Sequence, residues 1–188
     1  MPLSAPAPRE PLHVRHVECR GFRREDGLWD IEGHLVDTKT YAFSNRDRGE
    51  IKPGVPLHEM WIRLTIDDHL TVRAVEAVTE YGPFKICGDI APAFKKLEGL
   101  SIGPGWKKKV KELLGGTQGC THIVELLGPV ATTAFQTMYS RRERDRRAAE
   151  AKDETKPKKK PRLLDSCHAL ASDSPVTKVE WPEFYTGR

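Results

Sequence analysis

Residues 12–24, LHVRHVECRGFRR, alternate side chains with a period of two. Leu12, Val14, His16 and Glu18 fall on one face and His13, Arg15, Val17 and Cys19 on the other, the pattern of a β-strand. Glu25-Asp26-Gly27 follows as a turn, because Asp-Gly tolerates positive φ. In LWDIEGHLVDTKTY at 28–41, Leu28, Asp30 and Glu32 then oppose Trp29, Ile31 and Gly33, so the two stretches read as a hairpin. Beyond the Gly-, Pro- and charge-rich loop SNRDRGEIKPGVP at 44–56, MWIRLTI at 60–66 alternates again. Asp67-Asp68 leads from it into LTVRAVEAV at 70–78, a second hairpin.

From Ala91 the period changes. APAFKKLEGL at 91–100, WKKKVKELL at 106–114 and THIVELLGPVATTAFQTMY at 121–139 place apolar residues three and four apart, the spacing of amphipathic helices. In the last of these Ile123, Leu126, Leu127, Val130, Ala134 and Met138 form an apolar stripe. A helix so apolar is expected to be largely buried, leaving His122, Glu125, Thr132, Thr133 and Gln136 in need of polar partners. The expected fold is α+β: an antiparallel meander of about four strands packed against C-terminal helices.

The chain has 188 residues, 38% apolar and 31% charged, enough for one domain with a real core and wetter than an average globular chain. The excess polarity is concentrated between Ser140 and Leu163, where eleven Lys/Arg face five Asp/Glu. This run alone exceeds the net charge of +4 and leaves the rest slightly acidic. The basic character therefore belongs to a solvated spacer and gives no argument for nucleic-acid binding by the folded part; a nuclear-import reading of Lys156 to Arg162 is weaker than the spacer reading. The expected organisation is a domain over 1–140, a charged helix extension and linker over 141–163, and a tail over 164–188. The tail is expected to dock back on the domain, with an added strand around Val176 to Trp181. No apolar stretch is long enough to span a bilayer, and MPLSAPAPREP lacks the charged-then-apolar plan of an export signal. A cytoplasmic protein with no membrane partner is expected, and Cys19, Cys87, Cys120 and Cys167 then read as thiols or metal ligands instead of disulfides.

No phosphate loop, dinucleotide fingerprint, nucleophile elbow or His-Glu-x-x-His helix is present. What remains is thiols and imidazoles at the ends of elements, where ligands from different segments can meet. His58, in GVPLHEM, precedes the third strand. Cys87, in GPFKICGDI, stands where the last strand gives way to the first helix, and Cys120 and His122, in GGTQGCTH, open the long helix. Helix N-termini favour thiolates, and Cys-x-His offers soft and borderline ligands for zinc or iron. Each also has a plain reading as a surface histidine or an inert buried thiol. Cys167-His168 repeats the pairing in the tail, where such a pair is more often unligated.

The motifs RREDGLWDIEGHLVDTK, LHEMWIRLTIDD, GCTHIVELLGPVATTAFQT and LDSCHAL resemble those of an uncharacterised bacterial family of unknown function, over nearly the whole chain. From GVPLHEM through ICGDIAPAFKKLEGL to GGTQGCTH, the order of elements also resembles NifU/SufE-type iron-sulfur scaffold and sulfur-acceptor proteins. That resemblance implies a bound zinc ion or iron-sulfur cluster and a protein partner that donates or accepts cluster or sulfur. It matches Cys87 and Cys120 to two of the scaffold's cysteines. It departs at His58, which stands where a cysteine is expected, with Glu59 at its aspartate partner, and at His122, which follows the last cysteine instead of preceding it.

Three readings follow. The first is a metal- or cluster-binding protein with His58, Cys87, Cys120 and His122 as ligands and Glu59, Asp89 or Glu125 supporting them, a variant of it being persulfide relay through Cys87 or Cys120. The second is a small-molecule enzyme with Cys120 as nucleophile and His122 or His58 as its base. The third is a non-catalytic interaction module, with WKKKVKELL at 106–114 and the basic tail as contact surfaces, whose thiols would be dispersed and buried.

Overall fold

The computed structural model describes residues 3–151 and 160–187. Residues 152–159, the centre of the charged run, lie outside the described residues. The chain divides into two compact units, Met1–Ser140 and Arg141–Arg188.

The first unit is built on β1 (His13–Arg23), β2 (Trp29–Lys39), β5 (Pro56–Ile66) and β6 (Val72–Tyr81), an antiparallel sheet in the order β1-β2-β5-β6. The first turn forms as its residues dictate: Gly27 takes φ 88° and Asp26 Oδ1 accepts the Leu28 N–H. The loop between the hairpins holds structure that its composition hid, a short pair β3 (Phe43–Asn45) and β4 (Gly49–Ile51). The Asn45 side chain accepts the N–H groups of Asp47 and Arg48 across its turn, and Gly49 adopts φ 71°. Turn chemistry outweighed the low apolar content there.

Burial along β2 alternates without a break. Trp29, Ile31, Gly33, Leu35 and Asp37 face inward and the residues between them outward. After β6 the chain winds through 3-10 turns at Lys85–Leu97, interrupted by Pro92, then forms α1 (Trp106–Leu114) and α2 (Thr121–Ala151). The 91–100 segment is thus helical in a tighter form than its spacing predicts, since Pro92 has no N–H for an α-helical ladder. In α2 the stripe Ile123, Leu126, Leu127, Val130, Ala134 and Met138 is buried throughout, each larger side chain contributing about 1.5–3 kcal/mol by leaving water. The helix lies close on the sheet because Gly33 has no side chain. A Cβ there would come within 2.6 Å of Val130 Cγ2 and 2.9 Å of Leu126 Cγ.

In the second unit the stretch expected as a strand is a short helix, α3 (Pro175–Glu180). The Ser174 hydroxyl accepts the Thr177 N–H at 3.1 Å and Pro175 opens the first turn, a helix-start combination stronger than the β-branched Val176, Thr177 and Val179. Among the described residues, no helix is long and apolar enough to cross a membrane.

Candidate functional site

The inward alternation of β2 ends on a carboxylate. Asp37 is 1% exposed, and a buried charge must be paired. Its register partner on β1 is Arg15, which donates from Nε to Oδ1 at 2.7 Å and from Nη2 to Oδ2 at 2.8 Å, the bidentate geometry that suits guanidinium to carboxylate. Arg15 also donates from Nη1 to Glu125 Oε2 on α2 at 2.6 Å. His13 Nε2 lies 3.2 Å from Oδ1.

On the other side, the register partner on β5 is His58, whose Nδ1 lies 3.0 Å from Asp37 Oδ2. The first turn of α2 then lays His122 over the His58 ring, with centroids 3.8 Å apart, and brings its Nε2 to 3.8 Å from the same oxygen. His122 Nδ1 points the other way, 3.9 Å from Cys120 Sγ. Three strands and one helix start therefore converge on one carboxylate.

The charges follow from this packing. Burial alone would raise the Asp37 carboxyl, but the hydrogen bonds and charge of Arg15, with His58 and His13 adding to them, hold it below the ordinary carboxylate value. Burial lowers His58, and the neighbouring His122 lowers it further against the pull of Asp37. Burial lowers His122 too, with Asp37 opposing. Arg15 is held firmly protonated by Asp37. The site is an ionised carboxylate facing two imidazoles biased toward neutrality, with Arg15 and Glu125 closing one side.

Asp37, His58 and His122 each offer one donor atom, and the three lie within 4.8 Å of one another. Around a tetrahedral zinc with bonds of about 2.1 Å, donor atoms stand roughly 3.4 Å apart. The 3.0 and 3.8 Å separations from Asp37 Oδ2 bracket that spacing. Two imidazoles and one carboxylate are a set that zinc and ferrous iron both accept.

Residues 13–136 match a family described as a protein of unknown function, DUF2889. The chain belongs to the DUF2889 family. The matched span of this DUF2889 chain contains His13, Arg15, Asp37, His58, Cys120, His122 and Glu125, so the whole cluster lies inside the family domain. No curated protein and no solved structure matches the chain, and nothing in these comparisons supports the likeness to iron-sulfur scaffolds.

Of the residues singled out by sequence, His58 and His122 come together, and Cys120 stands beside His122 on the ring nitrogen turned away from Asp37. Cys87 lies elsewhere, against Gly82 in a groove of about 220 Å³ lined also by Arg48, Thr79 and Tyr81. Glu59 pairs with His34 at 3.0 Å on the outer face of the sheet, where His34 stacks on Trp61. Asp89 is exposed, Glu125 supports the cluster through Arg15, and Cys167 is exposed in the second unit. Sequence reasoning missed Asp37, Arg15 and His13. The signal was the β2 alternation itself, which carried two steps beyond Leu35 sets an aspartate in a core register.

Proposed function

We propose that this protein binds a divalent transition-metal ion, zinc being the best fit to the donors, through Asp37, His58 and His122. The observation that carries the reading is the convergence of these donors from β2, β5 and α2 to within 4.8 Å of one another. Two features support it. Metal ligands must be deprotonated, and burial biases both imidazoles that way. Metal-bound histidines also use their second nitrogen on an outer partner, a place that Cys120 occupies for His122. Asp37 and Glu125 outweigh Arg15 by one charge when the imidazoles are neutral, so the pocket carries a negative charge for a cation to offset. The dispersed thiols give no support to a cysteine-ligated iron-sulfur cluster.

A second reading uses the same side chains. Cys120 Sγ, the His122 ring and Asp37 Oδ2 stand in sequence at 3.9 and 3.8 Å, the order of a thiol nucleophile, its base and an orienting carboxylate. In that case Cys120 is the reactive group and no metal is held.

Metal analysis of protein purified without chelators, followed by cobalt titration monitored in the visible region, separates the two. The metal reading predicts about one ion per chain and tetrahedral cobalt bands, both lost in Asp37→Asn and His122→Ala and kept in Cys87→Ala. A wild-type chain that neither carries metal nor competes for zinc at micromolar concentration would overturn it. Selective alkylation of Cys120 that depends on His122 would then establish the thiol reading.

A further inference from the structure

The two edges of the main sheet are finished differently. At the β6 edge the segment that follows covers the backbone. Val72 donates to the Leu100 carbonyl and accepts from the Gly99 N–H, Ile102 donates to the Leu70 carbonyl, and the Glu98 carboxylate accepts the Val75 N–H. β6 also shifts register against β5 near both ends. β1 has none of this. It is eleven residues long and pairs with β2 from His13 to Arg23 without a shift. Among the described residues its backbone bonds to no segment other than β2. It contains no proline and no lysine, the residues with which natural edge strands resist further pairing.

The side chains along this edge are apolar where they are free. Leu12, just before the strand, and Val14, Val17 and Phe22 within it are 52%, 52%, 41% and 44% exposed. The arginines of β1 are engaged inside the chain: Arg15 by Asp37 and Glu125, Arg20 by Glu18, and Arg23 over the Trp29 ring. An open strand edge with exposed apolar side chains and no loose cation is a template for another strand.

We propose that β1 pairs antiparallel with β1 of a second copy of this chain, about a two-fold axis at Val17, so that one continuous sheet takes four strands from each copy. The register follows from the pleat and the charges. Backbone groups pointing away from β2 belong to alternate residues, and both members of a bonded pair must come from that set, so the axis passes through a residue. An axis at Glu18 would oppose two carboxylates and set His16 against Arg20, and like charges directly opposite are destabilising. An axis at His16 would oppose two imidazoles and set Leu12 against Arg20. With the axis at Val17, each His16 meets a Glu18, each Leu12 meets a Phe22, and Val17 meets its own copy. Arg15 then faces Cys19 and His13 faces Gly21, with no like charges opposed. Nothing here depends on a metal at Asp37.

The test is sedimentation velocity of the full chain in the presence of a chelator, at concentrations up to about 200 µM. A concentration-dependent monomer–dimer equilibrium is expected. His16→Glu, an exposed change that sets Glu against Glu18 twice per dimer, should weaken association at least about tenfold while the melting temperature of the monomer holds. Adding Glu18→His to it restores the pair in this register alone and should recover association. Val17→Cys should give a disulfide-linked dimer on treatment with diamide, whereas Val14→Cys, which faces Arg20, should not exceed the wild type. A chain that stays monomeric throughout, a dimer indifferent to His16→Glu, or cross-linking at position 14 in preference to 17 would each overturn the proposal.

Discussion

The two flanks of β5 are built from the same kinds of residue and end up chemically opposite. On the β2 flank, His58 meets Asp37 in register, and Arg15, His13 and His122 complete a closed set of polar partners around a buried carboxylate. On the β6 flank the strand runs out at Tyr81, the chain turns through Gly82 and Pro83, and Cys87 packs singly against Gly82 beside the Arg48 and Tyr81 side chains. Both flanks offer a ligand-type residue at the end of an element. Only the first offers a charge that the fold had to neutralise, and that requirement drew four segments to one point.

Breaking the charge should expose the contrast most strongly. Asp37→Ala leaves Arg15, His13 and His58 without their acceptor and should cost about 3 kcal/mol, the low end for a broken buried pair because Arg15 can turn to water. Cys87→Ala should cost less than about 1 kcal/mol. Chemical denaturation of the two metal-free variants compares them directly, and equal losses would remove the distinction between the flanks.

The next largest effect concerns approach of α2 to the sheet. Gly33→Ala should destabilise by about 1–3 kcal/mol through overpacking against Val130 and Leu126. It should also weaken zinc binding, because the same helix delivers His122. A variant that melts early yet binds zinc normally would show that the helix start adjusts independently of its middle.

Metal affinity sharpens the comparison residue by residue. In competition with a chromophoric chelator, His122→Ala should lower zinc affinity at least about 100-fold, while Cys120→Ser, altering an outer partner, should lower it about tenfold. Cys87→Ser should change nothing. A reversed order of the two cysteines would move the site to the β6 flank.

The smallest effect is in pH. With His58 and His122 lowered in the folded chain, the unfolded chain binds more protons as the pH drops through the ordinary histidine range, so folding stability should fall on acidification from neutrality. The lowered Asp37 carboxyl acts in the same direction at more acid pH, where its contribution is lost as it protonates in the folded state. Melting temperatures of chelator-treated protein across this range should decline more steeply in the wild type than in His58→Gln/His122→Gln.

The sheet and the α2 stripe were legible in sequence because each repeats a single period over ten or more residues. Short-range chemistry was harder to weigh. The β3–β4 pair depends on one asparagine side chain and one left-handed glycine, and α3 on a single serine cap before a proline, features that pattern averages over. At the site, His58, Cys120 and His122 stood out because imidazoles and thiols are scarce. Asp37 and Arg15 were lost among 58 acidic and basic residues in a chain of 188, of which 27 are Asp or Glu and 31 Lys or Arg. What distinguishes them is position on a pleat, and the strand order that makes β1 and β5 both neighbours of β2 is a property of the folded sheet.

The donors of the proposed centre come from three elements, Asp37 and His58 being 21 residues apart and His122 far beyond them in the second half of the domain. An unfolded chain holds no such arrangement. An ion bound there would therefore report on the folded state: zinc would raise the melting temperature in proportion to the logarithm of its free concentration, and a chelator would act on this protein as a mild denaturant.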